Sequence, residues 1–330
     1  MVNELPLISV VVIGINISEK VVNCLKSVKK SNYPNLEIIY VDGGSSDDSV
    51  KKVRKLGNIK IIELKQENPA PGRQRNEGWK NSKADLVQFL DGDTILDPDW
   101  LINAIYEIKD KKVAVCGYRR ELYPNKNFYN FITDFDWGKS VGEIENIGGD
   151  ILIKKSVLYE CEGFDNNLIA GENSELSFKI KDKGYSIIRI DRNMTNHAEL
   201  NNFKRYFWRI FRHGYGHAEV AIKFYKKNNT KLLNNFIKSS IKAIFTPLFI
   251  LLAIISKNIY FLFFSILLNT KTILLFFSLK KKGLNNKYSS IYVIHSFFLV
   301  YPLTLGMLRY IIGKIFYFPF TNKKLFGKLY

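Results

Sequence analysis

The segment Gln88–Trp100, QFLDGDTILDPDW, places four aspartates directly behind an apolar run. Asp91 and Asp93 are separated by one glycine, which lets the backbone bend tightly and approach a ligand. Carboxylates at this spacing can point at one ion, and Mg²⁺ or Mn²⁺ usually bridges one or two carboxylates to substrate phosphates. A solvated acidic turn is the alternative, and Asp97 and Asp99 fit it because DPDW is typical of a helix N-terminus. Asp91 and Asp93 are therefore the candidates for metal chemistry.

Apolar β-branched runs alternate with segments of helical spacing over the first 90 residues. This alternation predicts an α/β fold, a mostly parallel sheet with helices on both faces. The predicted strands are Leu7–Ile15, Glu37–Val41, Ile59–Leu64 and Leu86–Leu90, and the predicted helices are Ser18–Lys30, Ser49–Leu56 and Asn76–Ser82. Because ligands gather at the carboxyl ends of such strands, Gly14–Glu19, Asp42–Asp48 and Asp91–Asp93 are predicted to share one edge of the sheet.

The basic character of the chain, whose net charge is +18, is confined to its C-terminal part. Residues 201–330 carry 21 Lys and Arg and a single acid, Glu219, whereas the first 200 residues are nearly neutral. The stretch Ile241–Lys282 is also strongly apolar. Three charges interrupt it before its final lysine triplet, namely Lys242, Lys257 and Lys271.

Two neighbouring apolar runs approach the length of about 20 residues that a bilayer span needs. They predict a membrane hairpin over about 240–279 with both ends in the cytosol, where the positive-inside rule places the lysine triplet. A further apolar segment, about 289–318, contains Arg309 and Lys314, so an interfacial or re-entrant segment is predicted there. Apolar surface with basic flanks favours a membrane and disfavours a nucleic-acid partner. A buried helical core is the alternative.

The sequence predicts two domains, a catalytic domain over 1–225 and a basic, apolar, membrane-associated helical region over 226–330. No secretory signal is predicted ahead of the first strand, because Met1–Pro6 is short and lacks a basic and then an apolar region. Three isolated cysteines without a CxxC pair fit a reducing compartment. The catalytic domain is therefore expected on the cytoplasmic face of a membrane.

The motifs, taken in order, resemble the family 2 glycosyltransferases with a GT-A fold over roughly Leu7–Tyr215. SVVVIGINISEKVVNCLKSV is similar to the family's first strand and helix, and NLEIIYVDGGSSDDS to its second strand and nucleotide loop. PGRQRNEGWKNSKADLVQFLDGDTIL is similar to the arginine–asparagine helix that leads into the DxD motif. The resemblance implies a metal-dependent hexosyltransferase that uses Mn²⁺ or Mg²⁺ and a nucleotide-diphospho-sugar donor.

On the donor side, the resemblance implies that Asp93 binds the metal and that His197 completes the metal site. It also implies that Asp42 hydrogen-bonds the base, that Asp91 contacts the ribose or the metal, and that Arg75 meets phosphate or sugar. The departing diphosphate is negatively charged, and a divalent ion and an arginine would neutralise it. The predicted donor-binding residues are Gly14, Asn16, Asp42, Arg75, Asp91 and Asp93.

On the acceptor side, Ile147–Tyr185 resembles the family segment in which GGFD precedes an acidic ED helix start. Here Glu172 is followed by Asn173, where the family usually has aspartate. Because asparagine cannot act as a general base, Glu172 is predicted to take the acceptor proton, with Glu175 and Asp150 in reserve. A helix-start acid without a catalytic role is the alternative. The predicted acceptor-binding residues are Gly149, Asp150 and Asn173.

The predicted function is inverting transfer of one sugar to an acceptor at the membrane, either lipid-linked or a polysaccharide precursor. The QxxRW motif of processive synthases is absent, which favours single-sugar transfer. The predicted helix Arg205–Val220 has three arginines on one side and would close over pyrophosphate or lie on lipid headgroups. Asn173 motivates the alternative of a catalytically silent, sugar-nucleotide-binding or scaffold protein. A nucleotidyltransferase is disfavoured by the single glycine of GINISEK, and a dehydrogenase by the lack of GxGxxG.

Overall fold

The computed structural model describes residues 5–65, 70–137, 141–197, 202–224 and 230–316. They fall into two compact units, one containing the described residues up to 197 and the other those from 202 onward. The predicted domain boundary at 225–226 lies outside the described residues. The helix predicted at the end of the catalytic domain belongs to the second unit.

One mixed β-sheet forms the centre of the first unit. Its strands are β1 (Ile8–Gly14), β2 (Leu36–Asp42), β3 (Lys60–Glu63), β4 (Leu86–Asp91), β5 (Thr94–Leu96), β6 (Lys112–Glu121), β7 (Gly142–Glu143), β8 (Ile151–Lys154) and β9 (Ser186–His197). Their order is β3-β2-β1-β4-β8-β6-β9-β5, with β7 paired to β9. The strands β3, β2, β1 and β4 are parallel, which confirms the predicted α/β sheet. Strand β8 is antiparallel to both β4 and β6.

Helices cover this sheet and bury their apolar faces against it. They are α1 (Ser18–Lys29), α2 (Ser49–Arg54), α3 (Pro71–Lys80), α4 (Trp100–Ile105), α5 (Phe128–Trp137), α6 (Lys155–Glu160) and α7 (Glu172–Asp182). Strand β1 is buried along almost its whole length, as expected for a strand covered on both faces. The face of α1 that the spacing of apolar residues predicts, Val21, Val22, Leu25 and Val28, is buried.

Helix α3 begins at Pro71, five residues before the predicted Asn76. Proline is favoured in the first turn because its missing N–H is not needed there. The first half of α3 escapes detection by apolar periodicity because the residues that it buries are polar, among them Gln74 and Arg75. At Gly78 the helix lies so close to β1 that a Cβ would collide with the side chain of Val11.

The second unit is helical throughout its described residues. It consists of α8 (Phe203–Lys223), α9 (Thr230–Ser256), α10 (Tyr260–Lys281) and α11 (Asn286–Ile315). Within these residues, three stretches are long and apolar enough to cross a membrane, namely Ile237–Ser256, Tyr260–Lys281 and Asn286–Ile315. The first two match the predicted hairpin. The third is one continuous helix that could cross by length and composition, so its interfacial placement stays a prediction.

Candidate functional site

The DxD loop (Asp91–Asp93) lies where β4 ends, against the carboxyl end of β1. The N–H of Gly92 donates to the carbonyl oxygen of Ile13 at 2.8 Å. A Cβ at position 92 would lie 2.8 Å from that same oxygen, so the close approach requires glycine. This contact brings the two aspartates to the edge of the sheet where ligands bind in parallel α/β folds.

Asp93 forms a pair with His197, whose Nε2 lies 2.9 Å from Asp93 Oδ2. The pairing of β5 with β9 sets Thr94 opposite His197 and so brings the two side chains together. Burial alone would raise the pKa of Asp93, but the hydrogen bond and charge of His197, with Arg119 and Lys20, lower this pKa to about 2. Asp93 is therefore a carboxylate at any physiological pH.

The pair of Asp93 and His197 suits a divalent ion whose remaining coordination positions are filled by substrate oxygens. Among the described residues, no group of three or more His, Cys, Asp or Glu side chains could hold a metal by itself. Magnesium-type ions, however, commonly take only one or two protein carboxylates and fill their other positions with substrate phosphates. An ionised carboxylate beside an imidazole on neighbouring strands fits such a two-ligand site.

Two arginines of different character contact Asp91. Arg75 donates from Nη2 to Asp91 Oδ1 at 2.7 Å and from Nη1 to Glu172 Oε1 at 3.0 Å, and its side chain is 3% exposed. Arg119 lies 3.5 Å from Asp91 Oδ2 and 3.7 Å from Asp150 Oδ2, and its side chain is 22% exposed. Arg75 is thus committed to two carboxylates, whereas Arg119 makes longer contacts and can be reached from solvent.

Trp137, at the end of α5, contacts both Arg119 and His197. The Arg119 guanidinium lies 5.0 Å from the centre of the Trp137 ring, which is cation–π distance. The same ring meets the His197 ring edge-on at 5.7 Å. Sequence analysis missed Arg119 and Trp137 because neither belongs to a motif; the paired arginines of β6, in GYRRELY, were the available signal.

Asp150 holds the DxD loop through a hydrogen bond to the backbone of Asp91. One carboxylate oxygen accepts from the N–H of Asp91 at 2.9 Å and the other from the hydroxyl of Thr195 at 2.8 Å. Burial raises the pKa of Asp150, although the charge of Arg119 opposes this. The neighbouring Gly149 packs on Asp91, because a Cβ there would lie 2.7 Å from its Oδ1 and 2.8 Å from Arg75 Nη2.

Two of the three candidates for the base, Asp150 and the preferred Glu172, lie in this cluster, and Glu172 contacts Arg75. It opens α7 directly after Gly171, whose φ of 87° makes a left-handed turn, and it faces Arg75. Glu175 is instead fully buried and is paired with Lys179 at 2.9 Å. Asn173 is half-buried, and its Oδ1 has no hydrogen-bond partner among the described residues.

Asp42 and Asn16 shape the loops at the ends of β2 and β1. Asp42 is buried, and its Oδ2 accepts from the N–H groups of Gly44 and Ser45 at 2.9 and 2.7 Å. Asn16 joins the two loops, since its Oδ1 accepts from the N–H of Ser46 at 2.8 Å. The predicted residue Gly14 ends β1 and accepts from the N–H of Gly43 at 2.8 Å. These predicted donor-binding residues therefore lie together at the edge of the sheet beside the DxD loop.

Residues 9–164, which contain the DxD loop, match the model of glycosyl transferase family 2. This segment is a glycosyl transferase family 2 domain. Its relatives include the glycosyltransferase AglE of Haloferax volcanii, 27% identical over 57% of this chain and 65% of AglE. The O-antigen chain rhamnosyltransferase RfbN of Salmonella typhimurium is 29% identical over 56% of this chain and 65% of RfbN. The chain thus spans just under two thirds of each of these relatives.

Solved structures confirm the fold of the family 2 domain. The mannosyltransferase PcManGT from Pyrobaculum calidifontis, solved in complex with GDP-Man and Mn²⁺, superposes with a TM-score of 0.62 at 16% identity. The match covers 93% of this chain and 87% of PcManGT. At this identity the likeness shows the fold, and it confirms the predicted GT-A domain followed by apolar helices.

Proposed function

We propose that the protein transfers a sugar, with inversion, from a nucleotide-diphosphate donor to an acceptor presented at a membrane. The observation that carries this proposal is the pair of Asp93 and His197 beside Asp91, with Arg119 partly exposed next to them. This set combines two metal-ligating side chains with a cation that can meet a diphosphate. The family 2 domain and its relatives, which are named as glycosyltransferases, support the same assignment.

On the donor side, Asp93 and His197 would hold a divalent ion. When bound, the ion supplies positive charge to the departing nucleoside diphosphate. Arg119 adds a second positive charge there, because its side chain is partly exposed and lies 3.5 Å from Asp91 Oδ2, beside the DxD loop. Arg75 acts as a positioning residue that fixes Asp91 and Glu172 relative to each other, and its contact with donor phosphate or sugar stays a prediction.

On the acceptor side, Glu172 accepts the proton of the acceptor hydroxyl as its oxygen forms a bond to the anomeric carbon. The bond from that carbon to the diphosphate oxygen breaks on the opposite face, which inverts the configuration. Arg75 keeps the Glu172 carboxylate oriented at 3.0 Å. The acceptor contact of Asn173 stays a prediction, because its Oδ1 is buried and lacks a protein partner among the described residues.

The nucleotide lies, in this proposal, against the loops that follow β1 and β2. Asp42 and Asn16 preorganise these loops through their hydrogen bonds to Gly44, Ser45 and Ser46. Preorganised backbone reduces the ordering cost that the donor must overcome on binding.

The membrane-presented acceptor is supported by the second unit, whose described residues include three helices apolar enough to cross a bilayer. The lysine triplet at 280–282 favours a cytosolic position for the end of α10 by the positive-inside rule. With the catalytic domain on that same face, the acceptor is a lipid-linked molecule or polysaccharide precursor in the cytosolic leaflet.

The test is calorimetric titration of UDP, GDP and dTDP into the detergent-solubilised full chain, with and without Mn²⁺. We expect Mn²⁺-dependent binding of one nucleotide, and loss of that binding in Asp93→Asn. Asp99→Asn is the matched control, because Asp99 is exposed and contacts Asn32 instead of the site. Failure of all three nucleotides to bind folded protein would overturn the proposal. Binding without sugar turnover over a broad acceptor panel would instead support the catalytically silent alternative.

A further inference from the structure

Two of the candidate spans carry a lysine well inside their apolar stretch, Lys242 on α9 and Lys271 on α10. At a rise of 1.5 Å per residue, each lies about 20 Å from the turn at Lys257 that joins these helices. They therefore meet at the same level of the hairpin. Lys242 Nζ lies 3.4 Å from the hydroxyl oxygen of Thr272, the residue that follows Lys271 on α10. We call Lys242 and Lys271 the lysine pair.

Neither lysine of the lysine pair forms an ion pair with a carboxylate of the described residues. Glu219, on α8, is the last acidic residue in the sequence, so α9, α10 and α11 contain no Asp or Glu at all. Charged side chains inside a span are costly and persist where they bind something. Because two like charges at one level also repel each other, negative charge from outside these three helices would stabilise them.

The polar groups one turn further into the hairpin satisfy each other. Asn269 donates to the hydroxyl oxygen of Thr246 at 3.0 Å and to the carbonyl oxygen of Ser265 at 2.9 Å, and all three residues are buried. These bonds fix the register of α9 against α10. The lysine pair does not take part in these hydrogen bonds.

We propose that the lysine pair binds the phosphate group of a lipid in the leaflet that faces the cytosol. A hydrocarbon core is about 30 Å thick, so a level about 20 Å from the turn is within reach of the opposite interface for a snorkelling lysine side chain. Lysine binds phosphate as a point charge with three donors, and the Thr272 hydroxyl adds a further donor. The phosphate belongs either to a phospholipid or to a lipid-linked acceptor. The cytosolic placement rests on the proposed function.

The test measures lipid binding to the full chain in neutral detergent by native mass spectrometry. The probes are phosphatidylglycerol, a polyprenyl monophosphate and the corresponding polyprenol without phosphate. We expect Lys242→Gln/Lys271→Gln to weaken binding of a phosphate-bearing probe roughly 30-fold, at about fivefold per basic residue, and to leave polyprenol binding unchanged. Lys242→Arg/Lys271→Arg should retain binding because it keeps both charges.

Lys280→Gln/Lys281→Gln is the matched control, since it removes two lysines at the exposed end of the same helix. A loss for polyprenyl phosphate alone would identify the acceptor lipid, and a loss for both phosphate-bearing probes would identify lipid phosphates in general. The proposal is overturned if the folded glutamine variant binds both phosphates like the native chain, or if the control loses as much. Because the readout needs no turnover, Asp93→Asn should keep lipid binding, which separates this proposal from the catalytic one.

Discussion

The two units of the protein differ in how their charged side chains are balanced. Around the DxD loop, Asp91 faces Arg75 and Arg119, and Asp93 lies 3.9 Å from Lys20, so each carboxylate meets a cationic partner. In the second unit, many lysines and arginines share the single acid Glu219. The first unit can exchange its internal ion pairs for pairs with a charged ligand, whereas the second must take negative charge from its surroundings. A small change should therefore have a large effect in the first region and a small one in the second.

The largest effect is expected from Glu172→Gln, which keeps the shape of the side chain but removes the proposed base. We expect kcat to fall by about 10²- to 10⁴-fold, the usual contribution of general base catalysis, with little change in donor affinity. Asn173→Asp, which restores the acid that is usual in the family, is the companion variant in the same steady-state assay. A large gain of activity in Asn173→Asp, with full activity in Glu172→Gln, would move the base to position 173.

The second-largest loss of activity is expected from Gly149→Ala. The added Cβ would lie 2.7 Å from Asp91 Oδ1 and would displace the DxD loop. Misplacement of a reacting group by about 1 Å can reduce the rate by about 100-fold. Gly148→Ala is the matched control, since a Cβ at Gly148 meets no atom within 4 Å. Comparison of kcat/KM for the two variants measures how closely the site is packed; equal values would contradict the tight arrangement.

Arg119→Ala should weaken donor binding by roughly 10- to 100-fold, the range for a hydrogen bond to a charged group. The adjacent Arg120→Ala is the control, because Arg120 is half-exposed and paired with Asp134 at 2.7 and 2.8 Å. Calorimetric Kd values for the nucleotide diphosphate distinguish the two. If Arg75→Lys weakens binding and Arg119→Ala does not, the phosphate contact belongs to Arg75, as the sequence alone predicts.

The smallest effect is expected from Asn269→Leu in the hairpin. Interhelical hydrogen bonds in membranes contribute about 0.6 kcal/mol on average, so the free energy of unfolding in detergent should fall by about that amount. Thr270→Val is its control, because the exposed Thr270 hydroxyl donates only within its own helix, to Ile266 and Leu267. If Asn269→Leu instead lowered the free energy of unfolding by several kcal/mol, the second unit would be as sensitive to a single substitution as the first.

Much of the first unit could be predicted from local sequence signals. The β-branched run of β1, the buried face of α1 and the DxD loop each depend on residues within one short segment. The start of α4 at Trp100 also agrees with DPDW as a helix N-terminus, although the side chain of Asp97, and not that of Asp99, accepts the local N–H.

The site also depends on contacts between distant segments, which local sequence patterns do not predict. His197 reaches Asp93 because of the register of β9 against β5, and Arg119 reaches Asp91 across the strand order of the sheet. No spacing in the sequence encodes such a register. The resemblance to the family gave no indication of Arg119. Its assignments of His197 to the metal and of Arg75 to the donor stay predictions, beside the two carboxylates that Arg75 contacts.

Because all three cysteines are buried, we expect the native chain to react poorly with thiol reagents. Cys24, Cys116 and Cys161 are free and buried, and the Cys24 thiol faces the carbonyl oxygen of Asp91 at 3.7 Å. A membrane-impermeant maleimide should therefore leave the native protein in intact vesicles unlabelled. A single cysteine at the exposed Ser256 or Lys281 would then report on which side of the bilayer each end of α10 emerges. If only one of the two variants is labelled in intact vesicles, α10 crosses the bilayer. The labelled position then identifies the side of the membrane on which each end of α10 lies, without any activity assay.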